Sequence, residues 1–258
     1  MKLISLNLWG GKLYQTLMDF INKNSRDTDI YCFQEVFKTA TDKTESAGFR
    51  LNLYEELCKS LPNHQGYFVS CVENYIAGSF QPDFVDFNLS WGLAIFINKK
   101  IKVSSSDDFF VFGGKDTFTP QDRNSFPRSL QHITFTNESK EFIVGNLHGI
   151  WTTEGKQDSP ARISQSNQIN DFFEKYDGGK ILCGDFNLDI NTQSINILKK
   201  NFKNLIREHK IETTRNKHFP GTDKFADYTF VSDDIKVKNF QVPNVEISDH
   251  LPMILEFS

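Results

Sequence analysis

Four short clusters, spread along the whole chain, each set a carboxylate, amide or imidazole at the end of an apolar, strand-like run: Phe33-Gln34-Glu35-Val36, Asn146-Leu147-His148-Gly149, Gly184-Asp185-Phe186-Asn187 and Ser248-Asp249-His250. Phosphate esters are anionic and resist attack by water. A catalyst for their hydrolysis needs a cation to neutralise charge, a base to activate water and a proton for the leaving oxygen. Glu35, Asp185, Asn187 and Asp249 are hard oxygen donors, suited to magnesium or manganese rather than zinc. His148 and His250 can move protons near neutral pH. Taken singly, each cluster has a plain explanation, because polar residues end strands and Gly-Asp-Phe-Asn can be a turn. Taken together they meet the chemical requirements without a serine or cysteine nucleophile.

Other chemistries lack their signatures. There is no Gly-x-x-x-x-Gly-Lys-[Ser/Thr] phosphate loop, Gly113-Gly114-Lys115 being too short, and no Gly-x-Ser-x-Gly esterase element. The four cysteines, Cys32, Cys58, Cys71 and Cys183, lack Cys-x-x-Cys spacing and read as reduced, buried thiols. A formal charge of −4 gives no blanket basic field, so nucleic acid would need a local patch or the charge of a bound cation. The run Met1–Asn7 is too short for a signal peptide, and no stretch approaches the roughly 20 apolar residues of a membrane span. A cytoplasmic location is the default expectation.

The elements that must position these residues follow from periodicity. Lys2–Leu8 reads as a buried strand, Lys12–Asn24 as a helix carrying Leu13, Leu17, Phe20 and Ile21, and Ile30–Glu35 as a second strand. Leu51–Leu61 shows a helical apolar face, and Tyr67–Cys71 and Gly92–Ile97 read as strands. Asn98-Lys99-Lys100 then turns into a short strand, Ile101–Val103. Two β-rich runs between Leu130 and Leu147 flank Asn137–Lys140 as a hairpin, with His148 closing the second. Ser159 caps a helix through Tyr176 with Pro160 in its first turn, and Gly178-Gly179 ends it. Lys180–Cys183 delivers Asp185, Thr192 caps a helix through Phe202, and strands recur at Tyr228–Val231, Ile235–Val242 and Pro252–Phe257. Hairpins mixed with helices argue for two sheets packed face to face with helices outside, in one domain spanning residues 1–258.

At this point the chain resembles the endonuclease/exonuclease/phosphatase superfamily, the deoxyribonuclease I-like fold. The likeness rests on Ser5-Leu6-Asn7, Gln34-Glu35, Asn146-Leu147-His148, Gly184-Asp185-Phe186-Asn187, Ala226-Asp227-Tyr228 and Ser248-Asp249-His250, in the superfamily's order. It implies an α/β, four-layer sandwich and a magnesium-dependent phosphoesterase, with manganese as a substitute. It implies Glu35 as principal metal ligand with Asn7 beside it, Asp249 as a further metal-site carboxylate, and Asp185 and Asn187 positioning water and phosphate. Asp227 would orient His250, which accepts the proton of water. His148 would protonate the leaving group or stabilise charge on phosphate oxygen. Deoxyribonuclease-like members support that middle histidine with a glutamate near the strand that here reads Ser90-Trp91-Gly92-Leu93-Ala94, and no acid stands in it. Asp86, slightly upstream, is the nearest acid.

Further substrate contacts are weaker expectations: Arg128, Arg162 and Arg215 carry planar donor forks, Trp151 could stack on a base or sugar, and Lys217 with His218 could form a basic lip. The first reading of substrate is nucleic acid, cut by an endo- or exonuclease or another phosphodiesterase. The alternative is a phosphatase or sphingomyelinase-like enzyme acting on a lipid or small phosphate ester. A binding module without catalysis is the non-enzyme alternative, opposed by the intact set of acids and His250. No protein partner is expected.

Overall fold

The computed structural model describes residues 1–77 and 82–258. Its principal strands are Lys2–Asn7 (β1), Ile30–Lys38 (β2), His64–Glu73 (β3), Ser90–Asn98 (β4), Lys102–Phe112 (β5) and Arg128–Asn137 (β6). They continue with Lys140–His148 (β7), Gly179–Asp185 (β8), Lys203–Asn204 (β9), Asp227–Val231 (β10), Val237–Gln241 (β11) and Met253–Phe257 (β12). The helices are Tyr14–Asn24 (α1), Leu53–Ser60 (α2), Pro160–Phe173 (α3), Gln193–Ile197 (α4) and Leu205–Glu208 (α5). Two sheets result, in the orders β11-β12-β1-β2-β4-β3 and β9-β10-β8-β7-β6-β5.

The period of two sorts the side chains of each strand between layers. In the first sheet Leu3, Ile30 and Cys32 join the core between the sheets. Their neighbours Ile4, Tyr31 and Phe33 face Leu17, Ile21, Leu53 and Leu57 of α1 and α2. On the outer side of the second sheet, α3 sets Phe173 so close to Gly145 of β7 that any Cβ there would meet its ring. The expected arrangement of two packed sheets with helices outside is therefore what the chain adopts.

Each sheet holds one parallel pair near its middle, and this detail builds the site. β1 runs parallel to β2 with Asn7 opposite Gln34. β7 runs parallel to β8 with His148 opposite Asp185. Parallel partners end at the same edge, so each pair delivers its last residues together. β8 also pairs antiparallel with β10, which sets Asp227 directly across from Asp185.

Four local expectations need correction. The strand expected to stop at Val103 runs on to Phe112, because β5 is an edge strand and the polar run Ser104–Asp108 faces largely outward. The helix capped by Thr192 ends at Ile197 and passes into a 3-10 turn over Leu198–Lys200. Of the four free cysteines, Cys58 is exposed rather than buried. The Ser159 cap of α3 is as expected, its hydroxyl accepting from the Arg162 amide at 3.3 Å, although the helix closes at Phe173.

Candidate active site

Backbone strain marks two of the residues singled out from sequence. Glu35 has φ 57° at a bulge where the pairing of β2 with β4 shifts between Gln34 and Val36. A bulge re-aims the side chain it carries, and positive φ in a non-glycine residue is held only where the surroundings compel it. Asn187, with φ 53°, is held by its own amide N–H, which donates to Asp185 Oδ1 at 2.9 Å. Gly184, immediately before Asp185, has φ 134°, and a Cβ there would lie 2.0 Å from the Leu147 carbonyl oxygen. Only glycine lets β8 approach β7 closely enough to set Asp185 beside His148.

The facing strand ends converge. Asn7 Nδ2 donates to Glu35 Oε1 at 3.1 Å and to Asp185 Oδ2 at 3.0 Å, joining the two sheets. His250 Nδ1 lies 2.8 and 2.9 Å from the two Asp227 oxygens, and its Nε2 is 3.6 Å from Asp185 Oδ2. An isolated bridge between Arg215 and His250 brings Arg215 alongside. Its Nη1 donates to Asp249 Oδ2 at 2.9 Å and to His250 Nε2 at 2.5 Å. His148 Nε2 accepts from Arg128 Nη1 at 3.0 Å and stands 3.8 Å from both Glu35 and Asp185. Glu35, Arg128, His148, Asp185, Arg215, Asp249 and His250 form the floor of a cavity of about 180 Å³, with Asn7 and Asp227 behind them. His148, Asp185, Asn187, Asp249 and His250 are each between 2% and 7% exposed.

Arg128, Arg215 and Trp151 thus reach the site, the last on its rim. Arg162 does not. Its Nε and Nη2 donate to the Ile150 carbonyl at 3.2 and 3.1 Å and its Nη1 to the Gln157 carbonyl, so it braces the loop after β7 instead of binding substrate. Lys217 and His218 make no free basic lip, because Glu246 pairs with both, at 2.7 and 3.0 Å. Asp86 pairs with Lys43 at 3.6 Å on the surface and does not support His148. The strand where an acid was sought presents Trp91, whose ring lies 5.4 Å from that of His148.

Sequence reasoning missed Lys156. It is 8% exposed, and its Nζ donates to Asn187 Oδ1 at 3.3 Å. The loop that carries it is built tightly: Arg162 holds one side, Gln165 Oε1 accepts from the Ile150 amide at 3.0 Å, and the Asp158 carboxylate caps the start of α4 through the Gln193 and Ser194 amides. Nothing local in Glu154-Gly155-Lys156-Gln157 signals that role. Trp9, Arg123 and Phe219, also on the cavity wall, were missed too.

The electrostatics follow from crowding in a buried space. Burial first, then the neighbouring Asp249, push the Glu35 carboxyl up. Burial works against ionised Asp185 as well, but His250, His148, Lys156 and Arg215 outweigh it and hold that carboxyl below its usual range. Burial and then Arg128 drive His148 well below the ordinary imidazole value. For His250, burial and Arg215 oppose the charge, while Asp227, Asp249 and Asp185 together raise it.

A divalent cation fits this donor set. Asp185, Asp227 and His250 each offer a ligand atom, all within 4.8 Å of one another, and Asp185 also shares Asn7 with Glu35. Because His250 Nδ1 is already engaged by Asp227, the carboxylate oxygens of Glu35 and Asp185 are the better match to a hard cation, with the Asn7 Nδ2 between them.

Several solved structures share this sandwich. One is an endonuclease/exonuclease/phosphatase family protein from Bacteroides thetaiotaomicron, with TM-score 0.73 and 19% identity over 100% of this chain and 97% of that one. Mannosyl-6-phosphatase from Bacteroides thetaiotaomicron VPI-5482 gives 0.71 and 20% over 100% and 99%. The human Nocturnin catalytic domain with bound sulfate gives 0.66 and 17% over 100% and 93%. At these identities the likeness defines the fold class, the deoxyribonuclease I-like sandwich. The sequence itself matches the Endonuclease/Exonuclease/phosphatase family over residues 4–250, and the chain belongs to that family of phosphoesterases. No functionally curated protein matches it in sequence. No helix among the described residues is long and apolar enough to cross a membrane.

Proposed function

We propose that the protein hydrolyses a phosphate ester by direct attack of water, with a divalent cation, magnesium in the first instance, held by Glu35 and Asp185 and approached by Asp249, Asn7 orienting the two ligands. The observation that carries the reading is the convergence of the ends of both parallel strand pairs on one floor, with an Asp227–His250 pair beside it. The bound cation would neutralise the charge that otherwise repels a nucleophile from phosphate. Asp227 keeps the His250 Nδ1 proton in place and so leaves Nε2 as the lone pair that takes a proton from water. Arg215 now covers that lone pair and would turn its donors to a phosphate oxygen when substrate enters. As the water oxygen bonds to phosphorus, the ester P–O bond breaks and the leaving oxygen takes up a proton from solvent water, while His250 returns the proton it accepted to solvent. Arg128, held by His148, stabilises charge on the phosphate, and both Arg128 and Arg215 keep a buried Nε without a protein partner. His148, neutral and engaged by Arg128, serves better as an acceptor that holds this guanidinium than as the acid. Lys156 fixes the amide of Asn187, whose Nδ2 donates to the Gly149 carbonyl at 3.3 Å.

The depth of the floor bears on substrate. A phosphate that must reach side chains so little exposed enters most readily from the end of a molecule. That favours a phosphatase or exonuclease mode over cutting within a duplex. The test is hydrolysis of chromogenic phosphomonoesters and diesters, single-stranded DNA and RNA with magnesium. Turnover is expected, lost with EDTA, and Glu35→Gln is expected to weaken magnesium binding measured calorimetrically. Wild-type turnover and affinity in that variant would remove Glu35 from the proposal.

A further inference from the structure

Three half-buried rings stand around the cavity wall, Trp9, Trp151 and Phe219, each from a different segment of chain. None of the three belongs to the hydrophobic cores formed by the described residues. Each has a cation on one face: Lys12 Nζ is 4.5 Å from the Trp9 ring centre, and the Arg123 and Arg215 guanidinium carbons are 4.5 and 4.3 Å from those of Trp151 and Phe219. The chain also accepts strain to hold one of them. Trp9 has φ 50°, and its amide N–H donates at 2.9 Å to Oδ1 of Asn7, the residue whose Nδ2 joins Glu35 to Asp185. Placement of this ring is therefore tied to the floor.

A set of rings at the entrance to a phosphate-sized floor is suited to a ring on the substrate. Stacking of a base on an aromatic side chain is tolerant of base type and is worth roughly 5- to 150-fold; a sugar can lay its apolar face on the same ring. The backing cations sharpen the choice. Aromatic rings that hold a choline-type ammonium do so through free, negative faces. Here one face of each ring is already turned to a cation, and Arg128, Arg215 and Lys156 lie nearby. A cationic headgroup would meet repulsion, and a plain alkyl group would forgo stacking. The acids lining the cavity, Glu35, Asp185 and Asp249, are already engaged by Asn7 and Arg215.

We infer that the ester hydrolysed here carries its phosphate directly on a ring-bearing group, a sugar or a nucleoside, and is not a glycerol or choline ester. The inference rests on the phosphoesterase reading above and narrows it. With magnesium present, kcat/KM would be measured for a hexose phosphate, a nucleoside 5′-monophosphate, glycerol phosphate, phosphocholine and a short single-stranded oligonucleotide. At least one ring ester should exceed glycerol phosphate and phosphocholine by tenfold or more, and the two ring arms tell sugar from base. In Trp151→Leu and, separately, Phe219→Leu, the ratio of ring to alkyl ester should fall several-fold. Equal rates on glycerol phosphate or phosphocholine, or an unchanged ratio in both variants, would overturn the inference while leaving the hydrolase reading intact. Binding supplies a readout without turnover: the ring esters should quench tryptophan fluorescence saturably, and inorganic phosphate at equal concentration should not. Quenching without hydrolysis of any ester would retain the ring site and remove the hydrolase reading.

Discussion

The two histidines of the floor each meet a guanidinium on Nε2 but differ at their other contacts. His250 has Arg215 on Nε2 and a carboxylate, Asp227, on Nδ1, whereas His148 has Arg128 on Nε2 and Trp91 against its ring, with Glu35 and Asp185 no nearer than 3.8 Å. Both are buried, so desolvation acts on both alike, and the neighbours decide the outcome. One imidazole is raised and positioned to exchange protons; the other is held neutral as an acceptor. Two residues that look equivalent as strand-terminal histidines in a sequence are therefore assigned different work by the charges across from them.

The largest effect that could break this contrast is on turnover. His250→Gln should lower kcat by about 100- to 10,000-fold, the scale of a lost general base. His148→Gln should cost clearly less, because Arg128 remains to meet the phosphate. Equal losses in steady-state kinetics would make the two histidines equivalent after all. A step smaller, Asp227→Asn should reduce kcat by roughly 10- to 100-fold as an orienting partner is lost. Its magnesium affinity by calorimetry should stay at the wild-type value, and unchanged turnover would remove the Asp227–His250 pair from the mechanism.

The smallest effect is on stability, and its sign differs between the two. His148 has a depressed folded value, so the stability it contributes is full above its unfolded value of about 6.5 and is lost as pH falls towards the folded one. His250 has a raised folded value, so its contribution is full below about 6.5 and is lost as pH rises through the folded value. Thermal melts of the metal-free protein across this range should show His148→Gln flattening the acid side and His250→Gln flattening the alkaline side. The same change in slope for both would contradict the assigned neighbours.

Much of the scaffold was legible because its signals are local. The apolar runs of β1, β2 and β8, the Ser159-Pro160 start of α3 and the hairpin at Asn137–Lys140 all follow from periodicity, capping and turn chemistry. What misled was residue type without context. Arg162 has the donors of a phosphate ligand but spends them on backbone carbonyls, and the polar face of β5 conceals an edge strand. Lys156 carried no signal, because only the path of its loop brings it to Asn187.

The sequence by itself determined the chemical inventory and where it would stand, at strand ends, because the alternation of side chains and the residues that end a strand are properties of short segments. The tertiary structure alone decided the partners. Asn7 meets Asp185 across 178 positions and joins the two sheets, His250 meets Asp227 rather than an arginine on its Nδ1, and His148 meets Arg128 rather than an acid. Those choices depend on strand register and on the packing of one sheet over the other, and no local pattern of residues encodes either.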